Sequence, residues 1–556
     1  MESTPAGASA TVQLVATSTS PHARAGEGAR ATSTPGGVAG HDPAGSLSRA
    51  PRRSPSRGGG WGPSLAVLII GTFMSVLDVS VVNVAMTVLR KEFGVSADSI
   101  QWVSTVYSLA EGVAVPLGAW LGIRFGLKRV YVVTLILFTA ASALCGLSTS
   151  LSMLIISRAA QAIPGGVMPV ACQTILYRVV PKEKLGAAMG IYGLGVVVAP
   201  AVGPSVGGFL IDNLGWRYIF LINIPVGLLG ALAAAFVLRP QPAERARPFD
   251  LPGFLCIGTA LFALLLALEE GTKWGWTSYP ILILFALTLN LLVLFVVVEN
   301  MVEHPLLDLR VLRNKQYALA IVLISCLFIA LMAVMFFMPL FLQGVRGLSA
   351  LDAGELMLPQ GLTMAVLMPV SGVLCDRFGA RWLAAGGLFL TGTGVLMLSR
   401  VTVDTPYSTV TLGLVVMGAG MGLAMMPIMT SGLSALSSEL TDSGSAINTL
   451  AQRVSGAFGL ALLTAVVTAD QAQFWSDRAA LMPGLGAAAD PRITQLRQQG
   501  TPGLVALWQQ LSNQVQTDAY RNGFLLAAAV AFLGAALAIL VRHQASGTGA
   551  DKPAIH

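Results

Sequence analysis

The sequence predicts an all-α membrane protein with fourteen transmembrane helices, and three observations carry that prediction. Apolar side chains make up 54% of the 556 residues and charged ones 11%, with a mean hydropathy of +0.72, proportions that cannot turn a polar surface toward water. Apolar segments near the length a bilayer demands recur at 62–89, 101–122, 128–148, 151–176, 185–211, 217–238, 252–270, 279–299, 317–343, 354–375, 381–400, 407–430, 445–468 and 521–541. Charge agrees with that count. With the amino terminus inside, the short inner loops hold Arg124, Lys128, Arg129, Arg178, Lys182, Lys184, Arg239, Arg245, Arg247, Arg310, Arg313, Lys315, Arg377 and Arg381. The short outer loops hold Arg90, Lys91, Arg217, Lys273, Arg346 and Arg400, a bias of fourteen to six that follows the positive-inside rule.

In chain order, residues 1–60 are rich in Ala, Ser, Thr, Gly, Pro and Arg and lack an apolar core, so a disordered cytoplasmic tail is expected. No early apolar h-region marks a cleavable signal, and Arg49, Arg52, Arg53 and Arg57 hold the amino terminus inside. Residues 61–238 carry spans 1 to 6, 239–316 an extra pair of spans with flanking loops, and 317–541 the last six spans; 542–556 form an inner tail. The stretch 470–520 is the one large outer connection. Within it Leu504, Leu507, Trp508 and Leu511 fall at helical spacing, which fits either a short amphipathic helix on the membrane face or one packed on its own loop.

The two six-span blocks repeat one another. Ala162-Ile163-Pro164-Gly165-Gly166-Val167-Met168-Pro169 in the fourth span parallels Gly418-Ala419-Gly420-Met421-Gly422-Leu423-Ala424-Met425-Met426-Pro427 in the twelfth, and Arg124-Phe125-Gly126 parallels Arg377-Phe378-Gly379. Transporters are commonly built from such repeats.

Several functions are excluded or left without support. The five cysteines lie far apart without CxxC spacing or histidine neighbours, so neither a disulfide framework nor a metal site is expected. Lys and Arg are scattered among short loops rather than gathered on one face, which argues against nucleic acid. No phosphate-binding Gly-x-x-x-x-Gly-Lys-Ser/Thr loop occurs, and His22, His41, His304, His543 and His556 all lie outside the deep parts of the spans. No enzyme activity and no cofactor is expected.

Charges inside the apolar runs point to the chemistry. Asp78, near the middle of the first span, costs on the order of 3 kcal/mol or more in lipid unless it is partnered. Arg158 in the fourth span cannot shed its proton and needs an anionic neighbour, so Asp78 and Arg158 are expected to satisfy each other where the helices meet. Glu111 lies mid-way along the second span as a further deep carboxylate, able to take a proton or a cation; a hydrogen-bonded structural acid is the other reading. Glu269 and Glu270 end the seventh span and are expected to meet water.

These residues sit in motifs that resemble those of the major facilitator superfamily, in particular its 14-helix drug:proton antiporters of the EmrB/QacA type. The resemblance covers about 62–541. Leu77-Asp78-Val79-Ser80-Val81-Val82-Asn83-Val84-Ala85 is similar to the first-helix motif, with Ser80 for its Thr; Arg158-Ala159-Ala160-Gln161-Ala162 resembles the fourth-helix motif, with Ala162 for its Gly. Gly195, Pro200, Gly203, Pro204, Gly207 and Gly208 resemble the antiporter signature of the fifth helix, whose glycines admit a close neighbour and whose prolines bend the chain. Gly372-Val373-Leu374-Cys375-Asp376-Arg377-Phe378-Gly379-Ala380-Arg381 matches the superfamily loop motif, whereas the first copy keeps Arg124 and Gly126 but has Ile123 where the acid is expected, so its charge clamp must be weaker or differently built. Trp216-Arg217-Tyr218 through Gly227 and Pro339-Leu340-Phe341-Leu342-Gln343 are family markers with a packing role.

The resemblance implies two six-helix major-facilitator bundles with two inserted helices, in a bacterial cytoplasmic membrane with both termini cytoplasmic. It implies proton-coupled multidrug efflux of hydrophobic or cationic small molecules by alternating access. Asp78, Arg158 and Glu111 are then the proton-coupling candidates; Gln161, Tyr107, Met332, Phe336, Met421 and Met425 the substrate-binding ones; and Arg124, Gly126, Gly372, Asp376, Arg377, Gly379 and Arg381 the conformational gate. The expected partners are the lipid bilayer, protons and an amphipathic small molecule, and a periplasmic or cell-envelope adaptor protein stays open. Two alternatives share the motifs or the topology: an exporter of a lipid or lipophilic metabolite, and a non-transporting membrane sensor.

Overall fold

The computed structural model describes residues 61–181, 184–240, 248–437, 440–481 and 501–541. Both expected tails lie outside them. Helices α1 (Trp61–Phe93), α2 (Ala97–Phe125), α3 (Leu127–Gly146), α4 (Leu151–Val179) and α5 (Leu185–Asn213) are followed by a span in two pieces, α6 (Tyr218–Leu221) and α7 (Asn223–Val237). The inserted pair is α8 (Leu251–Trp274) and α9 (Tyr279–Met301). The second block comprises α10 (Lys315–Leu340), α11 (Ala350–Phe378), α12 (Ala380–Leu398), α13 (Tyr407–Leu433), α14 (Thr441–Leu481) and α15 (Thr501–Ala538). Among the described residues thirteen helices are long and apolar enough to span a bilayer, α6 and α7 counting as one; α5, with 29 residues, takes the place of the remaining expected span.

Helix starts follow local chemistry. Ser96, Ser150 and Ser349 accept hydrogen bonds from the backbone N–H groups of Ser99, Met153 and Asp352, and Asp250 does the same for Gly253, so each begins a helix by filling an orphan donor. Pro225 lies in the first turn of α7, where its missing N–H costs no intrahelical bond. Gly126 (φ 84°) and Gly379 (φ 79°) each join two helices through a single residue, a left-handed turn that favours glycine. They are the repeat-related positions of Arg-Phe-Gly.

The repeat is also visible in packing. In the first block α1 packs on α5 and α7, α2 on α4, and α3 on α4 and α7; in the second, α10 packs on α14 and α15, α11 on α13, and α12 on α13 and α15. Each pair has its counterpart. The blocks meet along two seams, α5 with α11 and α2 with α14, which exchange under the same correspondence. At the α12–α13 crossing, a Cβ on Gly420 would come 2.3 Å from the Thr391 nitrogen, so the backbones touch there through small residues.

We call the end where α1 begins the near end and the other the far end. The inserted α8 lies against α2 and α14, covering one seam, while α9 packs on α8 and exposes Tyr279, Ile283, Leu289 and Met301 as a lipid-facing surface does. At the near end Trp120 of α2 donates to the Pro248 carbonyl at 3.0 Å and packs its ring on Phe249.

Two expectations are corrected. The stretch 470–520 is not mainly a loop: α14 runs on to Leu481 and α15 starts at Thr501, with Trp475 stacked on Trp508 at 6.3 Å and Asn522 donating to Asp470 at 2.8 Å. Hydropathy cannot signal helix that extends beyond lipid with polar faces. The side chains of Leu504 and Leu507 lie outside the described residues. Glu270 does not meet water either: α8 buries it to 5% exposure with Lys273 at 3.3 Å, while Glu269 accepts a hydrogen bond from Thr105 of α2 at 3.2 Å. The marker Trp216 packs as expected, its ring edge-on to Phe93 and Phe220.

Candidate functional site

Asp78 sits half-way along α1 and is 1% exposed. Its Oδ2 accepts from Arg158 Nη1 at 2.5 Å, and its Oδ1 accepts from Gln161 Nε2 at 3.0 Å and from Asn223 Nδ2 at 2.8 Å. Arg158 is held on every side: Nη1 also reaches Gln161 Oε1 at 2.8 Å, Nε donates to the Val103 carbonyl at 3.4 Å, and the guanidinium lies 4.0 Å over the Tyr107 ring. Asn223 spends its other N–H on Ser142 Oγ at 3.0 Å, and Ser142 donates to the Phe220 carbonyl. Helices α1, α2, α4 and α7 thus converge on one ion pair. Removing one partner of such a buried pair costs about 3–5 kcal/mol, because the other charge stays behind in a low dielectric.

A second pair lies on the seam, where α2 has run one turn beyond Tyr107. Glu111 of α2 takes a bidentate grip from Arg453 of α14, Nη1 to Oε2 at 2.7 Å and Nη2 to Oε1 at 2.6 Å. The carboxylate is 5% exposed and the guanidinium 42%. Arg453 carries the signal that Asp78 carries, a charge in an apolar span, yet nothing in the sequence says which helix faces it. Asn223 stood inside a packing marker and was likewise not singled out.

At the near end the blocks are pinned. Arg178, in the last turn of α4, places Nη2 2.6 Å from both carboxylate oxygens of Asp442 in the first turn of α14, and Thr449 donates to Gln173 at 3.4 Å. Of the expected gate residues, Gly126 and Gly379 make the turns described above, Gly372 is half-buried in α11, Arg124 lies 5.8 Å from the Phe125 ring and Arg381 5.3 Å from that of Trp382. The side chains of Asp376 and Arg377 lie outside the described residues, as do those of Pro200 and Pro204.

The glycines of α5 face α1. A Cβ on Gly195 would meet Ile69 at 2.6 Å, one on Gly203 would run into Ser80 Oγ, and one on Gly207 would meet Val81 at 3.1 Å; at Gly208 it would meet nothing within 4 Å. The close approach ends within a turn of Asp78. Of the six substrate candidates, Tyr107 and Gln161 belong to the buried shell of the Asp78–Arg158 pair and Met421 is fully buried in the core, so in this conformation they present no surface to a ligand. Met425 is half-buried against that core. Met332 is half-buried and Phe336, one turn further along α10, is 42% exposed.

Residues 68–460 match the sequence profile of the Major Facilitator Superfamily. The chain belongs to that superfamily. It is 35% identical over 404 residues to the uncharacterized MFS-type transporter YhcA of Bacillus subtilis, covering 73% of this chain and 76% of that protein. It is 33% identical over 401 residues to the multidrug resistance protein Stp of Mycobacterium tuberculosis, covering 72% and 74%. Among solved structures, the proton:xylose symporter XylE shares the superfamily fold with a TM-score of 0.53 at 14% identity, over 84% of this chain and 94% of XylE. The chain is thus a multi-pass membrane protein of a transporter superfamily, with the expected α-helical fold.

Proposed function

We propose that this superfamily member exports hydrophobic small molecules in exchange for protons, by alternating access, with the near end in the cytoplasm. The observation that carries the reading is Asp78, a carboxylate in the middle of a membrane span, paired with a guanidinium that cannot neutralise itself. Because Arg158 keeps its proton, the one way such a site can change charge is protonation of Asp78. A proton on Asp78 turns an acceptor of three bonds into a neutral acid, loosens Arg158, and frees α1 to shift against α4 and α7. The Gly195–Gly203–Gly207 face of α5 lets α1 move at short range.

The Arg178–Asp442 bridge holds the near end shut, so the conformation fits the half of the cycle that discharges to the far side and takes up protons there. The likeness to Stp, a protein named for multidrug resistance, supports efflux of several substrates. The test is transport in everted membrane vesicles under an imposed pH gradient. Export that persists after the gradient is collapsed, or in Asp78→Asn, overturns proton coupling.

A further inference from the structure

Asp78, Arg158, Glu111 and Arg453 form the two ion pairs of the candidate site. They sum to zero, but they are not equally presented. Asp78 and Arg158 are at most 1% exposed and bonded on all sides, and Glu111 is 5% exposed with both oxygens held at 2.6 and 2.7 Å. Only Arg453 of the four offers substantial surface, 42% of its side chain.

Arg453 stands on the seam where α14 of the second block meets α2 of the first. Arg453 reaches across to α2 and stands one turn before Gly456, whose Cβ position lies 3.3 Å from Met332 of α10. A guanidinium carries five N–H donors, and the grip on Glu111 engages one on each Nη. The remaining donors are not used by that grip, and the side chain that carries them is 42% exposed.

We propose that Arg453 makes the transport chamber select amphipathic molecules carrying an anionic or strongly accepting oxygen, such as a phenolate or carboxylate, over lipophilic cations. This rests on the export reading and names its substrate class. A cation approaching mid-depth meets a positive charge first, and to reach Glu111 it must break a bidentate ion pair whose carboxylate is buried. An anionic oxygen breaks nothing, because it joins the same guanidinium as a further acceptor. Met332 and the exposed face of Phe336 supply the adaptable apolar surface for the ring system.

Fluorescein and rhodamine 123 share a xanthene ring and carry opposite charge, so fluorescence anisotropy with the purified full-length protein isolates the sign of the charge. The expected result is that fluorescein binds about tenfold more tightly than rhodamine 123. In Arg453→Gln fluorescein loses about tenfold while rhodamine 123 holds or gains, and in Arg453→Lys the original order survives. Tighter binding of rhodamine 123 by the native protein, equal or absent binding of the two dyes, or equal weakening of both by Arg453→Gln overturns the proposal, since a purely structural arginine would not distinguish them. The two readings fail separately. If the binding order holds but vesicles pump neither dye under a pH gradient, export is wrong; if they pump rhodamine 123 alone, export stands and the charge selection is wrong.

Discussion

Arg178 and Asp442 lie 264 residues apart and join the last turn of α4 to the first turn of α14 through one guanidinium nitrogen 2.6 Å from both carboxylate oxygens. The bridge crosses between the two blocks at the near end, the end at which α2 carries Ile123. Asp442 in the first turn also complements the positive end of α14.

Breaking this bridge therefore favours opening at the near end. The pair is part-exposed, at 35% and 12%, so its contribution is about 1 kcal/mol, or roughly a fivefold change in the open-to-closed ratio. Asp442→Asn is expected to raise the labelling rate of a cysteine placed in the near-end seam by about that factor, and the swap Arg178→Asp with Asp442→Arg to restore it. An unchanged rate in Asp442→Asn counts against the clamp.

Asp78→Asn is expected to cost stability as well as coupling. It strands the Arg158 guanidinium without a counter-charge, a loss of about 3–5 kcal/mol, visible as a lower melting temperature in detergent. The double variant Asp78→Asn with Arg158→Gln removes both charges and is expected to recover most of that temperature while remaining uncoupled. Recovery of pH-driven export in the double variant would remove Asp78 from the proton path.

The α5 glycines separate into contacts and open positions. Gly203→Ala drives a methyl into Ser80 and is expected to cost about 1–3 kcal/mol, whereas Gly208→Ala has free space and is expected to be neutral. Combining Gly203→Ala with Ser80→Gly should return part of the loss. Equal melting temperatures for the two single variants would show that the α1–α5 approach is looser than drawn.

Gly126→Ala and Gly379→Ala place a side chain at φ 84° and 79° in equivalent turns. Each is expected to cost about 1–2 kcal/mol, and the two costs to match. Thermal unfolding of the pair measures whether the repeat holds in energy as well as in geometry.

Much of this was legible in the sequence because lipid makes charge expensive. Asp78 and Arg158 announced themselves as a pair for that reason, and the Arg-Phe-Gly copies located both turns. Azimuth was not legible. A span that is apolar all round does not tell which face meets a neighbour, so the partner of Glu111, the burial of Met421 and the enclosure of Glu270 waited for tertiary packing. The helical extensions of α14 and α15 escaped because their polar residues look the same in a loop.

The inserted pair also gives the molecule two unlike flanks. One seam, α2 with α14, is covered by α8; along the other, α5 and α11 expose Ile191, Phe209, Leu362 and Val366 outward. In the proposed alternating-access cycle, the first flank would slide protein over protein while the second would displace acyl chains. Membrane thickness and fluidity would then load that cycle from one side only.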